Sequence, residues 1–355
     1  WLNGSWLEDL KIDQNQLPTT IEDLVKLLER FYEEDPNGNG EQDEIPLTAG
    51  ISSIRQLILN SYGIVCNGDG ICAGEDGEVS YVYTTEAFRK YLELVNSLFA
   101  SKLLDQNNFT ETGEQRIANG MENKIGLVNS ALPTNMYKIQ SQTSDIERYP
   151  MLPALTSEQN STLVKTRNNP VNRGLFSITK LCKTPERAIQ WVDNLYSYEG
   201  SMMTWQGPEG YGFEYTDDKR INWKQKLPEG ISSEEFRASQ TPAAGIAVPF
   251  FIYDKMLEGL SNPDEIYSNA QARKYMDNLV IPYPPVYYTE EEATRMATLT
   301  TDINTYFNEK EAEFITGRAK LDDTSWNEFV STIDRIGAKE LTQIYQDAYD
   351  RYLAK

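Results

Sequence analysis

The chain has 355 residues, with Asp+Glu 54 against Lys+Arg 33 and a formal net charge of -21. Such an acidic surface repels phosphate backbones and anionic lipid, which argues against nucleic acid or a membrane surface as partner. Histidine is absent, which removes imidazole bases, Ser-His-Asp and Cys-His nucleophiles and the commonest zinc sites. The length exceeds one typical domain, so two lobes are expected. No run of about 18 apolar residues is present to span a membrane.

The chain opens on Trp1-Leu2-Asn3 with no Met, charged n-region or apolar h-region. It therefore reads as lacking a signal peptide, with an N-terminal part missing. A helix is expected over Thr19 to Glu34. Thr19 and Glu22 have capping-box spacing, and Leu24, Leu27, Leu28 and Phe31 recur at helical intervals. The next residues, 35–44, read Asp-Pro-Asn-Gly-Asn-Gly-Glu-Gln-Asp-Glu. Asp35, Asn37 and Asn39 alternate, so a tight loop can turn their oxygens to one point. Gly38 and Gly40 permit positive φ. Glu41 can add its carbonyl, and Asp43 with Glu44 can close an all-oxygen shell of the kind calcium prefers. The closing acid comes too early for a twelve-residue EF-hand loop. A solvated Asn/Gly turn is the plainer alternative. The calcium reading makes the ion a structural staple between helix and loop, since no base or nucleophile flanks it.

Cys66, Cys72 and Cys182 are the three cysteines. Cys66 and Cys72 enclose a short flexible loop that a disulfide could close, which would fit an oxidising compartment; two free thiols are the alternative. Val79 to Tyr83 alternates as a strand. The helix expected from Thr85 to about Leu104 has Phe88, Tyr91, Leu92, Val95, Leu98 and Phe99 on its inner face. Ile125 to Val128 is an apolar run of buried-strand length. Asn129 and Ser130 follow it, at the carboxyl end where open α/β sheets bind ligands. Ser52 and Ser53 are weaker ligand candidates.

Residues 138–172 read as loop and crossover, and 175–178 as a further buried strand. A helix then starts at Thr184 (N-cap) and Pro185, with Ala188, Trp191, Val192 and Leu195 inward and Gly200 as its stop. In Trp205-Gln-Gly-Pro-Glu-Gly-Tyr211-Gly-Phe213, glycine-rich sequence carries Trp205 and Tyr211. They suit a platform for a sugar face, or ordinary interdomain packing. Trp191 and Trp326 lie on helical stripes and read as core. A hairpin is expected around Tyr215 to Ile221. Helices follow over Glu290 to Phe307, Trp326 to Ile336 and Leu341 to Tyr352. Strands alternating with helices and ending in helices indicate an α/β protein.

The segment from Asp35 to Leu47 resembles the calcium-bearing segment of extracellular solute-binding proteins of bacterial ABC transporters, family 1, of the LplA and alginate-oligosaccharide-binding types. Phe176 to Gly200 is similar to that family's returning strand and helix. Thr289 to Glu292, Phe314 to Gly317, Trp326 and Tyr345 to Tyr352 resemble its C-terminal part. The resemblance implies a periplasmic-binding-protein-like fold of two lobes and a hinge (type II), with the first lobe incomplete here. It places 1–172 mostly in the second lobe, 173–230 in a return to the first, and 231–355 in helices bracing the second, with Trp1 to Asn3 at a hinge crossing. Asp35, Asn37, Asn39, Glu41, Asp43 and Glu44 inherit a structural Ca2+ role. Arg173, at a lobe crossing, would bond ligand or brace the hinge. The implied protein is a monomeric, lipid-anchored extracellular receptor that delivers an oligosaccharide or other polar solute to ABC permease subunits, without catalytic residues. A carbohydrate-active enzyme with a carboxylate pair is the alternative, and a calcium-stapled lectin-like module fits the length and the single loop less well.

Overall fold

The computed structural model describes residues 1–167, 174–242 and 248–354. They divide into two compact units: Trp1–Ser130 with Pro150–Asn169 and Lys274–Lys355, and Ala131–Tyr149 with Pro170–Arg273.

At the centre of the first unit, the strand Ile45–Thr48 pairs in parallel with Ile125–Val128, and Ile45 stands opposite Ile125. Isolated bridges extend the pair on both sides, Leu104 to Leu47 and Leu2 to Leu127. Every residue of Ile125–Val128 is buried, as its unbroken apolar run requires. Helix Ile21–Glu33 lays Leu24, Leu27, Leu28 and Phe31 into the same core. Its cap is Thr20, whose hydroxyl accepts from Asp23 N, and the expected Thr19–Glu22 box does not form. Thr19, two residues before the helix, instead accepts from the amide of Thr156 through its carbonyl at 2.9 Å. Gly126 permits the close packing here, since a Cβ would lie 2.5 Å from the Phe31 ring and 2.7 Å from Trp6.

The helix Glu86–Ala100 buries Phe88, Tyr91, Leu92, Val95 and Leu98, as its spacing predicts. It packs on Glu290–Ile315, followed by Asp323–Ile336 and Ala338–Leu353. Trp326 is buried there. Between these helices lies a buried ion pair. The Arg55 guanidinium, on helix Ile51–Ser61, donates to Glu311 through Nε (2.9 Å) and Nη2 (2.5 Å). Tyr91 Oη donates to the same carboxylate at 2.9 Å. The Tyr83 and Phe307 rings stack on each other with centroids 4.4 Å apart, and the guanidinium lies beside the pair, 5.0 and 4.8 Å from their centroids.

The expected Cys66–Cys72 bridge is not formed; all three cysteines are free thiols. Cys72 lies on the strand Ile71–Ala73, with its Sγ 3.0 Å from Ser80 Oγ of the antiparallel Val79–Tyr81. The intervening loop is closed by hydrogen bonds instead: Asn67 Oδ1 accepts from the amides of Asp69 and Ile71. Burial pushes the Cys66 thiol up to about 12.

In the second unit the expected hairpin forms, Phe213–Tyr215 antiparallel to Trp223–Gln225. Its core gathers Met202, Trp205, Phe213, Trp223 and Met256. Three expectations fail in this unit. Residues 175–178 are not a strand, and Leu175, Phe176 and Ile178 are exposed, since no described strand pairs with them. Trp191 is 61% exposed: helix Pro185–Asp193 has no buried residue, and the ring that meets Trp191, Phe176 at 6.2 Å, is itself exposed. Gly200 does not stop a helix. It lies inside Tyr198–Gln206, where a Cβ would meet the Asn194 carbonyl oxygen at 1.9 Å. The stop is Gly207, at φ 88°.

Removing one partner of a buried ion pair strands the other charge, at a cost of about 3–5 kcal/mol. Glu311→Ala is therefore expected to lower stability by about that amount in urea unfolding, whereas Arg55→Met with Glu311→Leu costs less than the single change. A single-mutant loss under about 1 kcal/mol would show that the pair is not the brace described.

Candidate functional site

A cavity of about 220 Å³ opens at the carboxyl ends of the parallel strands of the first unit. Leu47, Leu127 and Val128 form its floor, and Met151 to Leu155 contribute one wall. Helix Ile51–Ser61 contributes Ser53, Ile54, Gln56, Leu57 and Asn60. The mix suits a ligand with apolar faces and polar edges, because a mostly apolar wall with a few placed polar groups is what small-molecule sites use. Asn129 and Ser130 line it, as expected of residues beyond a strand end. Ser53 Oγ and Asn129 Oδ1 are 3.3 Å apart, and the Trp1 indole donates to the Ser130 carbonyl at 2.9 Å. Trp1 to Asn3 are buried in this unit, with Leu2 N bonded to the Pro150 carbonyl and Asn3 N to that of Gly126.

The structure places the other candidates elsewhere. Ser52 lines a smaller neighbouring cavity of about 70 Å³ with Arg55, Cys66 and Tyr83. Trp205 is buried in the core of the second unit, 6.5 Å and nearly edge-on to Trp223, with the Arg237 guanidinium 5.8 Å from its ring. Packing accounts for Trp205 there. Tyr211 is 71% exposed. Arg173 lies outside the described residues. Sequence reasoning missed Gln56, Asn60 and Lys165 as cavity residues. The helical spacing of Ile51, Ile54 and Ile58 was a readable signal for the first two. Lys165 follows a polar stretch and has no local signal.

The loop after helix Ile21–Glu33 turns tightly, with Asp35, Gly38 and Gly40 at positive φ. Asp35 accepts from the amides of Asn39 (3.2 Å) and Gly40 (3.0 Å). Asn37 and Asn39 donate their side-chain amides to Asp43 Oδ1 at 2.9 and 3.0 Å, and Lys124 Nζ is 3.4 Å from Asp43 Oδ2. Burial pushes the Asp43 carboxyl up, but the bonds from Asn37, Asn39 and Lys124 outweigh it and hold it below its usual range. Glu44 is different. Burial, then the charges of Asp43 and Asp35, raise its carboxyl, and its Oε1 is buried with no hydrogen-bond partner. A cation at this loop would supply that partner. Among the described residues, however, no three His, Cys, Asp or Glu side chains already form a metal cage.

No family model matches the chain. The fructooligosaccharide ABC transporter substrate-binding protein FusA of Streptococcus pneumoniae serotype 4 is 28% identical over 367 residues, covering 100% of this chain and 65% of FusA. The solved structure of FusA with kestose superposes at a TM-score of 0.81, covering 100% of this chain and 72% of that one. The chain has the fold of ABC-transporter solute-binding proteins. The resemblance read from the sequence is thereby borne out, over a chain that spans less than two thirds of FusA's length. An EF-hand mutant of FusA has also been solved, with fructo-nystose. Two more distant structures share the fold. An HMO-binding solute-binding protein of Bifidobacterium longum infantis is 20% identical, with a TM-score of 0.76 over 99% of this chain and 73% of that one. The alginate-binding protein AlgQ2, solved without calcium ion, is 18% identical, with a TM-score of 0.73 over 98% of this chain and 71% of that one.

The placements of Trp205 and Tyr211 make opposite predictions. Trp205→Ala is expected to cost about 3–5 kcal/mol, as loss of a large core side chain does. Tyr211→Ala should stay within about 0.5 kcal/mol, as exposed substitutions do. Chemical unfolding followed by tryptophan fluorescence distinguishes them, and equal costs would contradict the buried placement of Trp205.

Proposed function

We propose that the whole protein is an extracellular receptor of an ABC importer. It captures an oligosaccharide and hands it to the permease subunits without altering it, and in its full-length form it is lipid-anchored, as the resemblance implies. The observation that carries this reading is the part-apolar cavity at the carboxyl ends of the parallel strands, in a chain that matches FusA along its whole length. Its apolar floor suits the faces of a sugar ring, and Ser53, Asn129 and Gln56 suit its hydroxyls. Closure of two lobes on the ligand is the motion expected of such receptors. The enzyme alternative requires two carboxylates across the ligand, and among the described residues no Asp or Glu lines this cavity.

Titration of the full-length protein with a panel of oligosaccharides that includes kestose tests the proposal. Saturable binding without product is expected, weakened about tenfold by Asn129→Ala if one neutral hydrogen bond is lost. Turnover of any sugar, or binding of none, would overturn it.

The loop 35–44 fits a calcium ion with a structural role. Asp35, Asn37, Asn39, Asp43 and Glu44 would hold it through side-chain oxygens and Glu41 through its carbonyl, and the ion would supply positive charge to compensate the acids. The FusA EF-hand mutant and the calcium-free AlgQ2 structure support this reading, as does the partnerless Glu44 oxygen. At calcium a hundredfold above its dissociation constant, the ion adds about 2.7 kcal/mol, so a chelator should lower the melting temperature and Glu44→Gln should shrink that response. In chelated protein, Glu44 holds its proton more tightly folded than unfolded. Stability therefore falls as pH rises from its ordinary value, 4.5, through the raised folded value. Glu44→Gln flattens that slope. A melt indifferent to both chelator and substitution would remove the metal.

A further inference from the structure

Among the described residues, Lys165 is the only charged side chain in the lining of the cavity at the strand ends, in a chain where acids outnumber bases 54 to 33. It is held in place by pairing of the two-residue strand Lys165–Thr166 with Leu279–Val280, and by the amide of Arg167, which donates to the Val280 carbonyl at 2.8 Å. Its ammonium lies 5.2 Å from the centre of the Tyr275 ring. Among the described residues, no carboxylate lies within ion-pair distance of it: Lys165 enters no salt bridge, whereas nearly every other partly buried cation of the first unit has an acidic partner. Burial alone lowers its pKa, so the charge is carried at a cost that nothing acidic offsets.

A half-buried cation with no counter-ion among the described residues, in a cavity whose described lining holds no acid, is suited to a ligand that brings the negative charge. We propose that Lys165 is a specificity-determining residue, and that the cavity takes oligosaccharides carrying a carboxylate, a uronate-type sugar, in preference to neutral ones. The carboxylate would accept from Nζ while the sugar face rests on the apolar floor. The alternative is that the stem of Lys165 only packs on Tyr275, as long cationic side chains do. The inference rests on the receptor reading above and deepens it.

The test measures, by calorimetry on the full-length protein, binding of a panel of uronate-containing oligosaccharides, each paired with its own methyl ester, with kestose as a neutral reference. The expected result is at least one acid bound about tenfold to a hundredfold more tightly than its ester, the range of a hydrogen bond to a charged group. Lys165→Gln should bring acid and ester to within about threefold, and Lys165→Arg should retain the preference. Melting temperatures unchanged in both variants would confirm that packing is intact. Equal binding of acids and esters, or a preference that survives in Lys165→Gln, overturns the proposal. If kestose or the esters bind and the acids do not, the receptor reading stands and this inference falls. If no saccharide binds, both fall.

Discussion

The first unit depends on one interaction, the burial of the Arg55–Glu311 pair. Helix Ile51–Ser61 has two functions on two faces. Ser53, Ile54, Gln56, Leu57 and Asn60 line the cavity, while Arg55 reaches into the core beside the stacked Tyr83 and Phe307 rings. A helix that packed only apolar side chains could rotate a few tens of degrees about its axis at small cost, since dispersion contacts are non-directional. A two-pronged guanidinium–carboxylate pair cannot, because both N–H bonds must point at both oxygens. The pair therefore acts as an angular lock on the wall of the cavity. Its partner belongs to Glu290–Ile315, a helix far along the chain, so the C-terminal helices help position the site without touching a ligand.

The strand that forms the cavity floor is fixed from the other end. Glu44 immediately precedes Ile45–Thr48, and the amide of Ile45 donates to the Lys124 carbonyl at 2.7 Å. Slippage of this strand by one residue would turn Leu47 away from its present face, since side chains alternate along a strand. A cation gripped by the loop 35–44 would thus do more than compensate acids. It would join the end of Ile21–Glu33 to the start of the strand, and the register of that strand sets which side chains the ligand meets.

Much of this was readable from residues. The stripe Leu24, Leu27, Leu28, Phe31 and the apolar run Ile125–Val128 each carry one signal, and each element forms where that signal lies. The helix ends were harder. Thr19 and Thr20 are adjacent and chemically alike, and the choice was made by an amide 137 residues away, at Thr156. Ile45–Thr48 was hidden by Pro46, which usually argues against an interior strand. Its partner faces bond through the other residues. Residues 175–178 and Trp191 misled for a different reason: periodicity states which face wants cover, and cannot state whether cover is supplied. The Cys66–Cys72 spacing allowed a bridge, but Asn67 closes that loop by hydrogen bonds alone.

The cavity and the surface obey opposite charge rules, and that contrast has a physical consequence. A chain at -21 surrounds itself with a negative potential, damped over about 8 Å at physiological salt. Among the described residues no acid contributes to the cavity lining, and the polar side chains there are amides, a hydroxyl-bearing set and the Lys165 ammonium. Local donors act at hydrogen-bond range, where screening has little effect, whereas the surface acts only at a distance. For a ligand in this cavity, Ser53, Gln56, Asn129 and Lys165 would therefore act within a few ångströms, and the acidic exterior would govern approach instead. Polar groups confined to so small a space discriminate by geometry as much as by energy. A ligand that fails to satisfy them leaves each one desolvated, which costs more than the bond would have gained.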